Sequence, residues 1–151
     1  MPGGIELSVE LEGEKQLSRR LLIVADGVTD FTDPLNKIGG ELKKTFDDNF
    51  DDEGSLFGGW RERKPQYRDG IRIDTWPLLQ KTGEMRQSFE SIVDKNSLTI
   101  SNKAPYFVYH QSNKPRYKLP RRVMMKVDEE RRQYIQKAFQ AYLVSLMRSR
   151  R

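Results

Sequence analysis

Two helical stripes bracket this chain, and they limit its fold more than any other feature. Leu35, Ile38, Leu42 and Phe46 recur at three- and four-residue steps. So do Ile135, Ala138, Phe139, Tyr142, Leu143 and Leu146. Each set forms one apolar face of an amphipathic helix. Asp33, with Pro34 behind it, is placed to cap the first, and Asp128 the second. Gly39 and Gly40 fall inside the first helix, where each costs about 1 kcal/mol relative to alanine. Either another backbone approaches that face closely or the pair is a weak point.

Outside these stripes the period changes. Ile5, Leu7, Val9 and Leu11 alternate with polar residues, predicting a half-buried strand that ends at Gly13. Leu17, Leu21, Val24, Ala25 and Val28 return to helical spacing, for a helix from Glu14 to about Gly27. "LLQKTGEMRQSFESIVDKNSLTISN" reads as a helical turn capped by Thr82, then a hairpin with strands near Phe89–Val93 and Leu98–Ser101. "APYFVYHQ" predicts a short helix with Pro105 in its first turn, and "KLPRRVMMKV" an extended segment. Residues 51–77 carry glycines, Pro65, Pro77 and mixed charge without sustained periodicity. They read as a long loop or arm suited to reaching a neighbour through Phe57, Trp60 and Tyr67. The fold class is therefore α+β, in one domain over residues 1–151, a length that buries a sufficient core unaided.

The chemistry available is narrow. There is no cysteine, which removes disulfides, thiolate metal sites and cysteine nucleophiles. No signal-peptide pattern opens the chain, and its longest strongly apolar run, "LLIVA" at 21–25, is far short of a membrane span, so the sequence predicts a soluble protein. His110 is the single histidine. As a catalytic base or metal ligand it would need carboxylates, and none lies between Asp94 and Asp128. No nucleophile elbow, phosphate-binding loop, zinc-protease helix or calcium loop is present. The sequence predicts no enzyme, no metal and no cofactor. In a helix from Pro105, His110 shares a face with Tyr106, and Gln111 has both donors and an acceptor with which to fasten an adjacent loop. A structural clasp is the reading these residues favour over a pH switch.

Charge is unevenly placed. The run "DDNFDDE" at 47–53 holds five acids and no base; "NKPRYKLPRRVMMK" at 113–126 holds six bases and no acid; residues 148–151 form a basic tail, "RSRR". Lys114, Arg116, Lys118, Arg121, Arg122 and Lys126 are a candidate contact surface. Three uses stay open: a solvated face, docking of one copy's acids on another copy's bases, or contact with nucleic acid.

Read in order, Gly58–Gly59–Trp60, the segment "LLQKTGEMRQS" at 78–88, a hairpin, Tyr106 with His110–Gln111, and Pro120–Arg121–Arg122 resemble the phage virion morphogenesis family of tail-completion proteins. The resemblance spans about residues 14–146. Met85 stands where the family usually has leucine, "SN" at 112–113 replaces its glycine, and "RVMM" at 122–125 its Arg-Pro-Phe-Leu. The resemblance implies a tail-terminator-like α+β subunit of a ring, typically hexameric, at the head-proximal end of the tail. Its partners would be copies of itself, the tail tube and neck or head-closure proteins, with non-specific contact to passing DNA and no membrane. It would be assembled in the host cytoplasm into the virion. Trp60, Thr82, Gly83, Arg86, Ser88, Tyr106, His110, Gln111, Pro120 and Arg122 would be its structural or interface residues. A neighbouring neck ring protein and a basic nucleic-acid-binding module are the alternatives.

Overall fold

A computed structural model describes residues 6–10, 30–113 and 118–149. The helix expected from Glu14 to Gly27, Lys114 and Arg116, and the last two residues of the basic tail lie outside these residues. In chain order the elements are strand β1 (Glu6–Glu10), helix α1 (Thr32–Asp51), a 3₁₀ turn (Ser55–Phe57), strands β2 (Tyr67–Arg68) and β3 (Ile71–Arg72), helix α2 (Glu84–Gln87), strands β4 (Phe89–Val93) and β5 (Ser97–Asn102), helix α3 (Phe107–Gln111) and helix α4 (Glu129–Ser149). One sheet has the order β1–β5–β4; the other is the two-stranded β2–β3. The class is α+β. Among the described residues two compact units are distinguished, one built mainly from Lys44–Glu90 and Ser101–Lys126, the other from residues 30–43, Ser91–Ile100 and residues 127–149.

In the second unit, α1 begins earlier than its sequence suggests. Phe31 is fully buried and its N–H donates to the Lys95 carbonyl at 2.8 Å. The chain therefore turns into the helix at Thr32, whose N–H donates to the Asp30 carboxylate at 2.9 Å. Asp30, and not Asp33, satisfies the start of the helix. Of the two interior glycines only Gly39 is closely approached, and the nearest atoms there belong to side chains rather than to a backbone. A Cβ on Gly39 would lie 3.0 Å from Leu98 Cδ1 and 3.7 Å from Ser91 Cβ, so hairpin side chains crowd that position and Leu98 would have to shift to admit one. Gly40 has nothing within 4 Å and is simply a weak point. On β5, Leu98, Ile100 and Asn102 are buried and alternate with half-buried neighbours, as a period of two demands. At α4 the Asp128 carboxylate accepts from the Arg131 N–H at 3.0 Å, so this capping residue is placed as its sequence position suggests. Ile135 and Phe139 are buried while Ala138, Tyr142, Leu143 and Leu146 are half-buried. Phe139 meets Phe31 edge-on at 5.9 Å between centroids, and the Tyr142 hydroxyl donates to the Asp30 carbonyl at 3.2 Å.

The first unit has an aromatic core. Phe46 and Phe50, one turn apart at the end of α1, both pack on Phe89, at 5.9 and 6.3 Å, and Phe89 packs edge-on against Phe107 at 5.7 Å. The fully buried Phe50 extends the α1 stripe one turn beyond Phe46, which is why the helix reaches Asp51. Residues 51–77, expected to be a loop, contain the 3₁₀ turn and the β2–β3 hairpin. In that hairpin Tyr67 faces Arg72 and Arg68 faces Ile71. Its turn residues Asp69 and Gly70 have φ of +51° and +79°, the left-handed pair that suits a two-residue hairpin turn. The Asp-Gly pair flanked by Tyr67, Ile71 and Ile73 is the sequence signal for it. The segment 120–128 forms no ladder but buries Met124 and Met125.

Candidate functional site

The site is built from the first unit's residues, beginning with a knot around Trp60. Its indole is 7% exposed, donates to the Val123 carbonyl at 2.8 Å and meets Phe50 edge-on at 5.1 Å. The ring lies directly over Gly54, where a Cβ would fall 2.1 Å from indole Cδ1 and where φ is +79°. Only glycine fits. The loop is folded back by Gly54 N–H to the Asn49 carbonyl at 2.9 Å and Trp60 N–H to the Glu53 carbonyl at 2.8 Å. Trp60 therefore buries its ring inside its own chain, which corrects its expected role as the arm's anchor on a neighbour.

A second clasp joins α3 to the 120–125 segment. The Gln111 carbonyl oxygen Oε1 accepts from the Met124 and Met125 N–H groups at 2.7 and 3.2 Å, and its Nε2 donates to the Met125 carbonyl at 2.7 Å. Next to it the Arg122 N–H donates to the His110 carbonyl at 2.8 Å, and the exposed Arg121 donates through Nε to the Gln111 carbonyl at 3.2 Å. His110 is half-buried on α3, and Tyr106, at the start of that helix, is 64% exposed. The fastening of the adjacent loop includes the Gln111 and Arg121 side chains and a backbone bond.

The "TGEMRQS" segment positions a third contact. Thr82 Oγ1 accepts from the Glu84 N–H at 3.3 Å, Gly83 takes a φ of +75°, and Ser88 Oγ donates to the Glu84 carbonyl at 2.6 Å. This short helix aims Arg86 at the end of α1. Arg86 forms paired bonds to Asp47, both at 2.9 Å, and to Asp51, at 2.6 and 3.0 Å, with a further bond to Gln80 at 3.1 Å. These hydrogen bonds raise the Arg86 pKa, and the Arg86 bond holds that of Asp51 below its usual value. Acids at a helix carboxyl end oppose the peptide dipoles. Arg86 offsets two of them.

Asp74 anchors the β2–β3 hairpin, a role with no clear mark in the sequence. It is almost fully buried and accepts from Arg63 Nε at 2.8 Å, Arg72 Nε at 3.0 Å and the Gln66 N–H at 3.1 Å. Arg63 also donates to the Asp74 and Trp76 carbonyls and lies over the Trp76 ring. Burial pushes the Asp74 carboxyl up, but the bonds from Arg72, the Gln66 N–H and Arg63 outweigh it and hold its pKa down at about 2.

Beside these contacts opens a cleft of about 820 Å³ lined by Arg61, Glu62, Arg63, Lys64, Gln66, Lys118, Leu119, Pro120 and Arg122. Five of these nine are cationic and one is acidic. Arg122 is 5% exposed and donates through Nε and Nη2 to the Arg61 carbonyl at 2.9 and 2.8 Å. Burial, with Arg63 and Arg61 nearby, lowers its pKa. The basic surface expected from the 113–126 run is therefore divided. Lys118 is exposed in the cleft and Arg121 and Lys126 are exposed, whereas Arg122 borders the cleft but is buried against the Arg61 carbonyl. Among the described residues no group of three or more His, Asp or Glu side chains is placed to hold a metal ion, and no helix is long and apolar enough to cross a membrane.

The contacts of Trp60, Arg86, Gln111 and Arg122 fall on the ordered motifs, and the family comparison covers the same ground. The sequence model of the phage virion morphogenesis family matches residues 13–144. The chain belongs to that family. This phage protein accordingly has a structural or assembly role in the virion, in a family not known for catalysis. No curated protein and no solved structure matches it.

Proposed function

We propose that this virion protein is a ring subunit, six copies to the ring, at the head-proximal end of the tail. It completes the tail and joins it to the neck and head. Its partners are further copies of itself, the tail tube and the head-closure proteins, and genomic DNA passes the ring with non-specific contact.

Beyond family membership, the observation that carries the reading is the β2–β3 hairpin. A lone two-stranded sheet is marginal in water. This one exposes Tyr67 by 63%, Ile71 by 70% and the adjoining Ile73 by 41%. Its base is held by the Asp74 ion pairs. Aromatic and aliphatic side chains offered from a fixed base suit contact between copies, because such anchors dominate interface energies. The hairpin takes the part that the sequence suggests for Trp60.

The test is a phage lacking the gene. DNA-filled heads and separate tails are expected, with overlong tails if the ring also stops tube growth. Complementation with Tyr67→Ser combined with Ile71→Ser should leave the same unjoined particles while the purified variant melts like the wild type. Joined virions without any functional copy would end the reading. Heads that lose their DNA would move the protein to a head-closure ring in the neck.

A further inference from the structure

The end of α1 and the basic cleft carry opposite charge within one compact unit. In the acidic run Asp47 and Asp51 are held by Arg86, whereas Asp48, Asp52 and Glu53 are exposed and form no ion pair among the described residues. Those three carboxylates stand at the carboxyl end of a 20-residue helix with no basic residue in its last turn. Aligned peptide dipoles already place partial negative charge there, so bare acids are unfavourable unless a cation faces them.

The cleft has the converse problem. Arg61, Lys64 and Lys118 are exposed and form no ion pair among the described residues, and buried Arg122 has a carbonyl rather than a carboxylate as its acceptor. Like charges gathered in one concavity repel, and burial intensifies the repulsion. A negatively charged group entering the cleft relieves both costs, and arginine binds carboxylates through paired hydrogen bonds.

We propose that the cleft receives the acidic end of α1, with Asp48, Asp52 and Glu53, from a second copy of this chain. This rests on the ring reading and gives it a particular contact. Two different surfaces of one chain joined head to tail generate a ring when the rotation closes. Identical copies supply one acidic helix end for every basic cleft. Three exposed carboxylates gathered at one helix end suit a concave cleft containing Glu62 better than an even row of duplex phosphates does.

The experiment uses the full chain and sedimentation velocity at low and high salt. Lys64→Glu with Lys118→Glu reverses the cleft; Asp48→Lys with Asp52→Lys reverses the helix end. Neither pair touches Arg86, Arg122 or the core, and circular dichroism melts check folding. Each pair should weaken low-salt association about tenfold or more, and all four changes in one chain should restore it. Pairs that assemble like the wild type would overturn the contact while leaving the ring reading intact. A wild type that stays monomeric at every concentration would remove both. If the cleft pair loses binding to a short DNA duplex and the four-change chain fails to reassemble, the occupant is nucleic acid and the proposal is wrong.

Discussion

The Trp60 knot and the β2–β3 hairpin lie within ten residues of each other in the chain, yet they face opposite ways. Around Trp60 the indole N–H, the ring faces and the glycine beneath all have partners inside the same chain. In the hairpin the large side chains of Tyr67 and Ile71 face solvent, and only the base is tied, through Asp74. The contrast separates two meanings of a conspicuous residue. Trp60, Arg86, Gln111 and Arg122 stand out as motif members because several backbone and side-chain groups converge on each. Residues available to a partner, such as Tyr67, Ile71, Asp48 and Lys64, carry no comparable signature.

The severest way to break the contrast is Trp60→Ala. Removing a buried tryptophan costs about 3–5 kcal/mol, and here it also leaves the Val123 carbonyl without its donor. Chemical denaturation should show a loss of that size, with assembly failing because the subunit unfolds and not because an interface is lost. Next comes Gln111→Ala. It strips the acceptor from the Met124 and Met125 N–H groups and the donor from the Met125 carbonyl. Buried groups left unpaired cost roughly 1–3 kcal/mol each, so a destabilisation of about 2–3 kcal/mol is expected in the same assay. Gln111→Glu should recover little, because a carboxylate cannot donate to Met125.

The smallest effect sharpens the hairpin side. Asp74 titrates at about 2 when folded, below the usual unfolded value of about 3.9. A depressed carboxyl contributes stability that is complete above the unfolded value and is lost as pH falls through the folded one. Between about pH 4 and pH 2, hydrogen-exchange protection of the hairpin amides near Gln66 and Ile73 should fall before the aromatic signals of the Phe50–Phe89 core change. Asp74→Asn should remove that pH dependence. Protection that falls together with the core would show that the hairpin is not separately anchored.

Much of the framework was legible because periodicity reports which face of an element is buried. The α1 and α4 stripes, the β4–β5 hairpin, the short helix ending in Gln111 and the Asp128 cap all follow from local spacing and local hydrogen-bonding chemistry. The Asp69–Gly70 turn carries a local signal that the loop reading of 51–77 passes over, since two left-handed residues in succession are open to few dipeptides. Tertiary structure decided the rest. Asp30 starts α1 because Phe31 is drawn into a core assembled from distant residues. Trp60 turns inward because Gly54 leaves room for its ring and the Val123 carbonyl, 63 positions away, lies within reach of its N–H. The charges of Asp47 and Asp51 are taken up by Arg86, more than thirty positions on, and those of Asp48 and Asp52 are not. Spacing along a chain fixes which side chains share a face; which distant group meets that face depends on closing loops that no local pattern encodes.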